Sequence, residues 1–225
     1  MKALSIIFLM LCINLVFPQS EKLTQELQQF TQVKGFDGLS INLIKANENK
    51  AVITGANTKK VAIVNTNGTL KLRMEIDKIF SGYRTFIDLY HTEELNVIDV
   101  NEDARIYAEE PFVQDILELK AQEGGELVIN CQVEQLLVKS VTGGEVNTRG
   151  FSKNQDIIIN TGGSYDGKEF KTEFTTISVN AGGNAQIYAT EYVQANVKAG
   201  GEVKVFGDPA KMDEKKVFGG KIIRM

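Results

Sequence analysis

The chain has 225 residues, 43% of them hydrophobic, with 25 Lys and Arg against 29 Asp and Glu for a formal net charge of −4. An acidic balance with no basic domain argues against nucleic acid as a partner. A single histidine, His91, excludes clustered imidazole zinc sites and H-E-x-x-H proteases.

In chain order, Lys2 precedes an apolar run from Ala3 to Ile13 and a more polar exit ending at Pro18-Gln19-Ser20. A basic end, an apolar middle and a polar exit make residues 1–20 a secretory signal peptide. The run is shorter than the roughly 20 residues of a membrane-spanning helix. Leu9-Met10-Leu11-Cys12 lacks the small residues of a lipoprotein signal, so ordinary export is expected. Cleavage removes Cys12 and leaves Cys131 alone, so no intrachain disulfide supports the fold and Cys131 reads as a small core residue. Residues 21–35 form a lead-in segment. Leu23, Leu27 and Phe30 fall at helical intervals behind Ser20 as a cap, which predicts a short helix over the open end of the fold or a tether.

Residues 36–225 read as a single β domain. Leu39, Ile41 and Leu43 alternate, Val52 to Gly55 follows, and Val61 to Val64 and Leu70 to Met74 flank Asn67-Gly68, a hairpin signal. Asn67-Gly68-Thr69 is also a glycosylation sequon, read here as a turn. Residues 76–90 are less regular, with Ile79 to Tyr83 expected as a loop. Leu95 to Tyr107 reads as a structural rung in which Glu102-Asp103 stands where later rungs carry glycines, and Glu110-Pro111-Phe112 punctuates it, because proline cannot donate to a ladder.

From Leu117 onward a glycine pair recurs: Gly124/Gly125, Gly143/Gly144, Gly162/Gly163, Gly182/Gly183, Gly200/Gly201 and Gly219/Gly220, at spacings of 19, 19, 20, 18 and 19 residues. Three positions after each first glycine come Leu127, Val146, Tyr165, Ala185, Val203 and Ile222. Apolar residues at alternate positions around glycine turns mean strands with one buried face. Nineteen residues of extended chain span about 60 Å, so each rung must bend back on itself. Rungs that cannot bury an apolar face alone stack in parallel, the logic of a β-solenoid. A β-propeller needs about 40 residues per blade. No phosphate-binding G-x-G-x-x-G or P-loop pattern accompanies the glycines, and Gly219-Gly220-Lys221 is followed by Ile222, not by a hydroxyl residue. The fold class predicted is all-β, a parallel β-helix-like solenoid with rungs of about 19 residues.

Gly35-Phe36-Asp37-Gly38-Leu39, Asn67-Gly68-Thr69-Leu70, the glycine-pair rungs and the closing Val205-Phe206-Gly207-Asp208-Pro209 before Gly219-Gly220 together resemble the putative auto-transporter adhesin, head GIN domain family, formerly a domain of unknown function. The resemblance covers roughly residues 36–220. It implies a right-handed parallel β-helix-like fold and a cell-envelope setting: periplasm, outer membrane surface or outside the cell. It supplies no binding residues to carry over.

Eleven acids (Glu93, Glu94, Asp99, Glu102, Asp103, Glu109, Glu110, Asp115, Glu118, Glu123, Glu126) face two bases between Glu93 and Glu126, while the chain from Lys198 onward is basic. A solvated face, a hard-cation site and a basic partner all remain open for the acidic stretch. His91 lacks a nucleophile elbow and is expected on the surface. Tyr165, Tyr188, Tyr192, Phe170 and Phe174 either stack on glycans or pack within the fold. The expected role is a non-enzymatic exported solenoid without a cofactor or catalytic residues, displaying a flank for adhesion. Its partner would be a surface glycan or an envelope protein, with self-assembly through the solenoid ends left open. The alternative is a carbohydrate-active enzyme using two of the acids.

Overall fold

The computed structural model describes residues 22–225; the predicted leader, residues 1–20, lies outside them. The strands are β1 (Leu23–Glu26), β2 (Gln32–Gly35), β3 (Ser40–Lys45), β4 (Lys50–Gly55), β5 (Val61–Thr66), β6 (Thr69–Met74), β7 (Thr85–His91), β8 (Val97–Val100) and β9 (Arg105–Tyr107). They continue with β10 (Phe112–Ala121), β11 (Glu126–Val141), β12 (Glu145–Asn160), β13 (Ser164–Asn180), β14 (Asn184–Lys198), β15 (Glu202–Phe206), β16 (Lys211–Val217) and β17 (Lys221–Arg224). They build an all-β solenoid of about seven turns.

The corners explain the glycine pairs. In Gln122-Glu123-Gly124-Gly125 the two central residues both have positive φ, 51° and 77°, and the Gly125 N–H donates to the Gln122 carbonyl at 2.9 Å. Two consecutive left-handed residues closed by that bond make a type I′ turn. The same pair of left-handed residues recurs at Thr142-Gly143, Thr161-Gly162, Ala181-Gly182, Ala199-Gly200 and Phe218-Gly219. The two glycines of a pair do different work. The first adopts the left-handed conformation that costs other residues energy. The second has no room for a side chain: a Cβ on Gly144 would stand 2.2 Å from the Ala121 carbonyl oxygen of the turn below, whereas one on Gly162 would meet nothing within 4 Å.

The hydrogen-bond ladder continues through these corners instead of stopping at them. Gly124 N–H donates to Thr142 O, Gly143 to Thr161 O and Gly162 to Ala181 O, at 3.1–3.2 Å, and the Gly125 carbonyl accepts from Glu145 N–H at 2.9 Å. Successive strands therefore stack in strict parallel register, Glu126 opposite Glu145, then Ser164, Asn184, Glu202 and Lys221. Inside, Ile87, Ile41, Ile106, Leu127, Val146, Tyr165, Ala185 and Val203 form one buried column.

Before β10 the order in space departs from the order in sequence. β2 pairs with β6 on one side and β8 on the other, and β3 pairs likewise with β7 and β9. The first rung is thus inserted between two later ones, and Thr85–His91, expected to be irregular, is a full strand. The predicted helix behind Ser20 is instead strand β1, antiparallel to β4. Tertiary pairing overrides the helical spacing there: β4 offers an unpaired edge, and a strand next to it satisfies backbone groups that a helix would leave open. Phe30, the third residue of that spacing, is buried in the core, while Leu23 is exposed. Gln32–Gly35, assigned in sequence to the lead-in, lies inside the stack. β5 pairs antiparallel with β6 across the Asn67-Gly68 turn, as expected.

The register also moves one expected corner by a residue. Arg105 lies opposite Glu126, so Asp103-Ala104, not Glu102-Asp103, occupies the glycine positions. Glu102 holds the first left-handed position, stacked between Asp37 and Glu123 in the same column. Asp37 is buried and accepts the N–H groups of Met74 and Phe80 at 3.0 and 3.3 Å. Burial, and then the neighbouring Asp37 and Glu123 carboxylates, hold the Glu102 carboxyl above its usual pKa.

Two outcomes follow for urea and thermal unfolding. Gly162→Ala costs about 1–2 kcal/mol, the left-handed penalty alone, while Gly144→Ala forces two turns apart and costs about 3 kcal/mol or more. Because the folded state binds the Glu102 proton more tightly than the unfolded state does, its contribution is fully present below the ordinary glutamate pKa and is lost as pH rises through the folded value. Glu102→Gln therefore raises Tm at pH 7, with the gain vanishing as the pH falls below the ordinary glutamate pKa.

Candidate binding flank

Outward side chains form columns as regular as the inward ones, because each strand repeats the register of the one before. Val128, Asn147, Asp166, Gln186 and Lys204 make one column, flanked by Asn130, Arg149 and Glu169. The ladder slips here, between Asn147 and Arg149 and again between Asp166 and Lys171. Such bulges bend a strand and re-aim its side chains. Two adjoining hollows of about 370 and 270 Å³ open at the slip and share Asp166. Together they form a shallow groove along the stack from Asn130 to Lys204.

The charges in this groove are matched within the chain. Arg149 Nε lies 2.9 Å from Glu169 Oε2 and Lys204 Nζ 3.5 Å from Glu202 Oε1. The Lys168 N–H donates to Asp166 Oδ1 at 3.2 Å, and the Lys168 ammonium sits 5.3 Å from the centre of the Phe206 ring. Further along the same strands, the exposed Phe151 lies in the column of Lys171, Tyr188 and Phe206, and the exposed Phe174 in that of Tyr192 and Lys211.

The aromatic residues singled out in sequence divide between inside and outside. Tyr165 and Phe170 are buried, the Tyr165 hydroxyl bonding Thr148 Oγ1 at 2.6 Å and accepting from Gln155 Nε2. Burial raises the Tyr165 pKa. Phe174 is 40% exposed. Tyr188 and Tyr192 are half-buried, and the Tyr192 hydroxyl donates to Asp213 Oδ2 at 2.7 Å while Lys211 lies over its ring. The alternation places Tyr165 in the inward column of Leu127, Val146, Ala185 and Val203, and Tyr188 in the outward column of Lys171 and Phe206.

The acidic stretch does not converge. Asp99 is buried, held by Lys34 at 2.9 Å and accepting from Asn101 and Gln122. Glu126 pairs with Arg105, Glu118 with Lys120, Glu93 accepts from Gln29, and Asp103 accepts from Tyr83. Glu94 and Asp115, joined by Glu134, line an open hollow of about 500 Å³. Among the described residues no cluster of three or more His, Cys, Asp or Glu side chains is arranged to hold a metal ion.

His91, expected on the surface, is buried at 2% exposure. Its Nδ1 bonds the Glu93 carbonyl at 2.8 Å and its ring stacks on Phe112 at 6.0 Å. Loss of water lowers its pKa, and the ring lies at the edge of a small hollow that also holds Lys45 and Glu110. Sequence reasoning missed this because the burial comes from packing against Phe112 beside the β3–β7 pair, which no local pattern shows. Cys131 is buried and its thiol is pushed up to about 12 by desolvation, which leaves it an inert core residue.

Comparison with known proteins fits this architecture. No curated protein matches the chain in sequence. Among solved structures, a putative adhesin from Bacteroides fragilis superposes with a TM-score of 0.84 at 18% identity, covering 93% of this chain and 98% of its own. A putative lipid binding protein and a putative adhesin, both from Parabacteroides distasonis, each superpose with a TM-score of 0.70, at 15% and 14% identity, over 92% of this chain and 97% of theirs. At such identities these likenesses establish the shared fold. The sequence matches the family described as putative auto-transporter adhesin, head GIN domain, over residues 29–209, and with most of its length inside that match the chain belongs to this family.

Proposed function

We propose that this protein is an exported, non-enzymatic adhesin of the cell envelope that holds its target along the flank formed by β11–β15. The observation that carries this reading is the flank itself. Side chains stand there at the rung spacing, about 4.8 Å, on a backbone fixed at both strand and corner, and the exposed rings of Phe151 and Phe174 lie further along the same strands. A surface that presents contacts in a row at a fixed spacing suits holding an extended target through additive weak interactions. The leader-like residues 1–20 and the adhesin family support an exported setting in the periplasm, on the outer membrane or beyond it.

The exposed hollow with Glu94, Asp115 and Glu134 favours a second reading, a carbohydrate-active enzyme, since two carboxylates suffice for glycoside hydrolysis. On this reading Asp115→Asn or Glu134→Gln abolishes a measurable turnover. The adhesive reading is tested with beads coated with the purified chain and retained under flow on envelope preparations. Paired Phe151→Ser and Phe174→Ser changes lower retention about fivefold while leaving Tm within about 2 °C. Equal retention of wild type and variant, or sugar turnover lost with one acid-to-amide change, overturns it.

A further inference from the structure

Some side-chain amides bond within the chain: Asn180 Nδ2 donates to Asn160 Oδ1 at 2.9 Å, one rung apart, Asn42 donates to Asp88 and Gln135 to Asp156. Other amides among the described residues, Asn154, Gln194 and Asn196 for example, have no partner and lie outside the bulged groove, and a further group of them lines it. Among the described residues, the side-chain amides of Asn130, Asn147, Asn184 and Gln186 have no partner within the chain, although they line its two hollows and Asn130, Asn147 and Gln186 are half-buried. The charged side chains around them are already engaged, Arg149 by Glu169 and Lys204 by Glu202.

From this lining we infer that the groove binds a neutral oligosaccharide, with the four free amides reading its hydroxyl groups. The inference rests on the adhesive reading of the flank and adds to it the chemistry of the target. A primary amide offers both donors and an acceptor in one plane, which matches a pair of vicinal hydroxyls. Half-burial keeps such bonds from being exchanged freely for water. An anionic polymer would find no net positive charge here, because Arg149, Lys168 and Lys204 are balanced by Asp166, Glu169 and Glu202. An apolar peptide would strand the amides without partners, at a cost that rises with desolvation. From Val128 to Lys204 the column takes four rung steps, about 19 Å at about 4.8 Å each. That step is close to the length of one pyranose unit in an extended chain, so successive rungs meet successive sugars. Phe206, held beside the groove by Lys168, offers an apolar face at the far end.

The test uses an array of neutral hexose oligosaccharides of about four to six units alongside sulfated and sialylated counterparts, followed by titration of each hit against the purified chain. Neutral members are expected to bind, and Asn147→Ala and Gln186→Ala each to weaken binding about fivefold with Tm unchanged, because neither amide has a partner to lose. Asn180→Ala, which breaks the paired amides, lowers Tm and leaves sugar affinity as it was. Binding confined to the anionic sugars overturns the proposal, as does undiminished binding in the Asn147→Ala, Gln186→Ala double variant. Bead retention that persists while no sugar binds or competes also overturns it, and leaves the adhesive reading standing.

Discussion

The fold depends on a corner that turns the chain without breaking its hydrogen bonds. An ordinary bend leaves backbone groups unpaired at each level of a stack, and in a solenoid that cost recurs with every turn. Here two consecutive left-handed residues turn the strand while the second of them donates to the corner above. The residue that follows passes so close to the turn below that a Cβ has no place at Gly144. Once corners stack in this way, register is no longer adjustable: a slip of one residue would move every buried side chain to the surface. The regular columns on both faces are consequences of that lock.

The two ends of the stack are managed differently, and neither is a plain open edge. At the N-terminal end, antiparallel strands β1, β4 and β5 fold over the first rungs. At the other end, the inward positions of β16 that continue the buried columns of Ala195 and Val197 are Glu214 and Lys216, 3.1 Å apart as an ion pair. Charges pointing toward the core at a terminal strand oppose the addition of another strand.

On that flank, bulges do what the regular ladder does not. The slips around Asn147 and Asp166 open a groove in an otherwise level surface, and the side chains there are left unpaired in a way that paired columns such as Asn160 and Asn180 are not. Regular register supplies stability, and its local failure opens the groove proposed as the binding surface.

The solenoid was legible in the sequence because its cause is local: a left-handed turn with no room for a Cβ demands glycine, and the demand returns at each turn, so the spacing of glycine pairs equals the spacing of stacked strands. The burial of Cys131, and the division of each rung into inward and outward residues, could be read for the same reason. Tertiary structure alone decided what depends on partners distant in sequence. Pairing with the edge of β4 made a strand of the segment expected to be a helix, and packing against Phe112 beside the β3–β7 pair buried His91. Thr148 and Gln155 give the hydroxyl of the inward Tyr165 its partners, and the ladder slips that free Asn147 and Gln186 arise from how neighbouring rungs fit, which no single rung encodes.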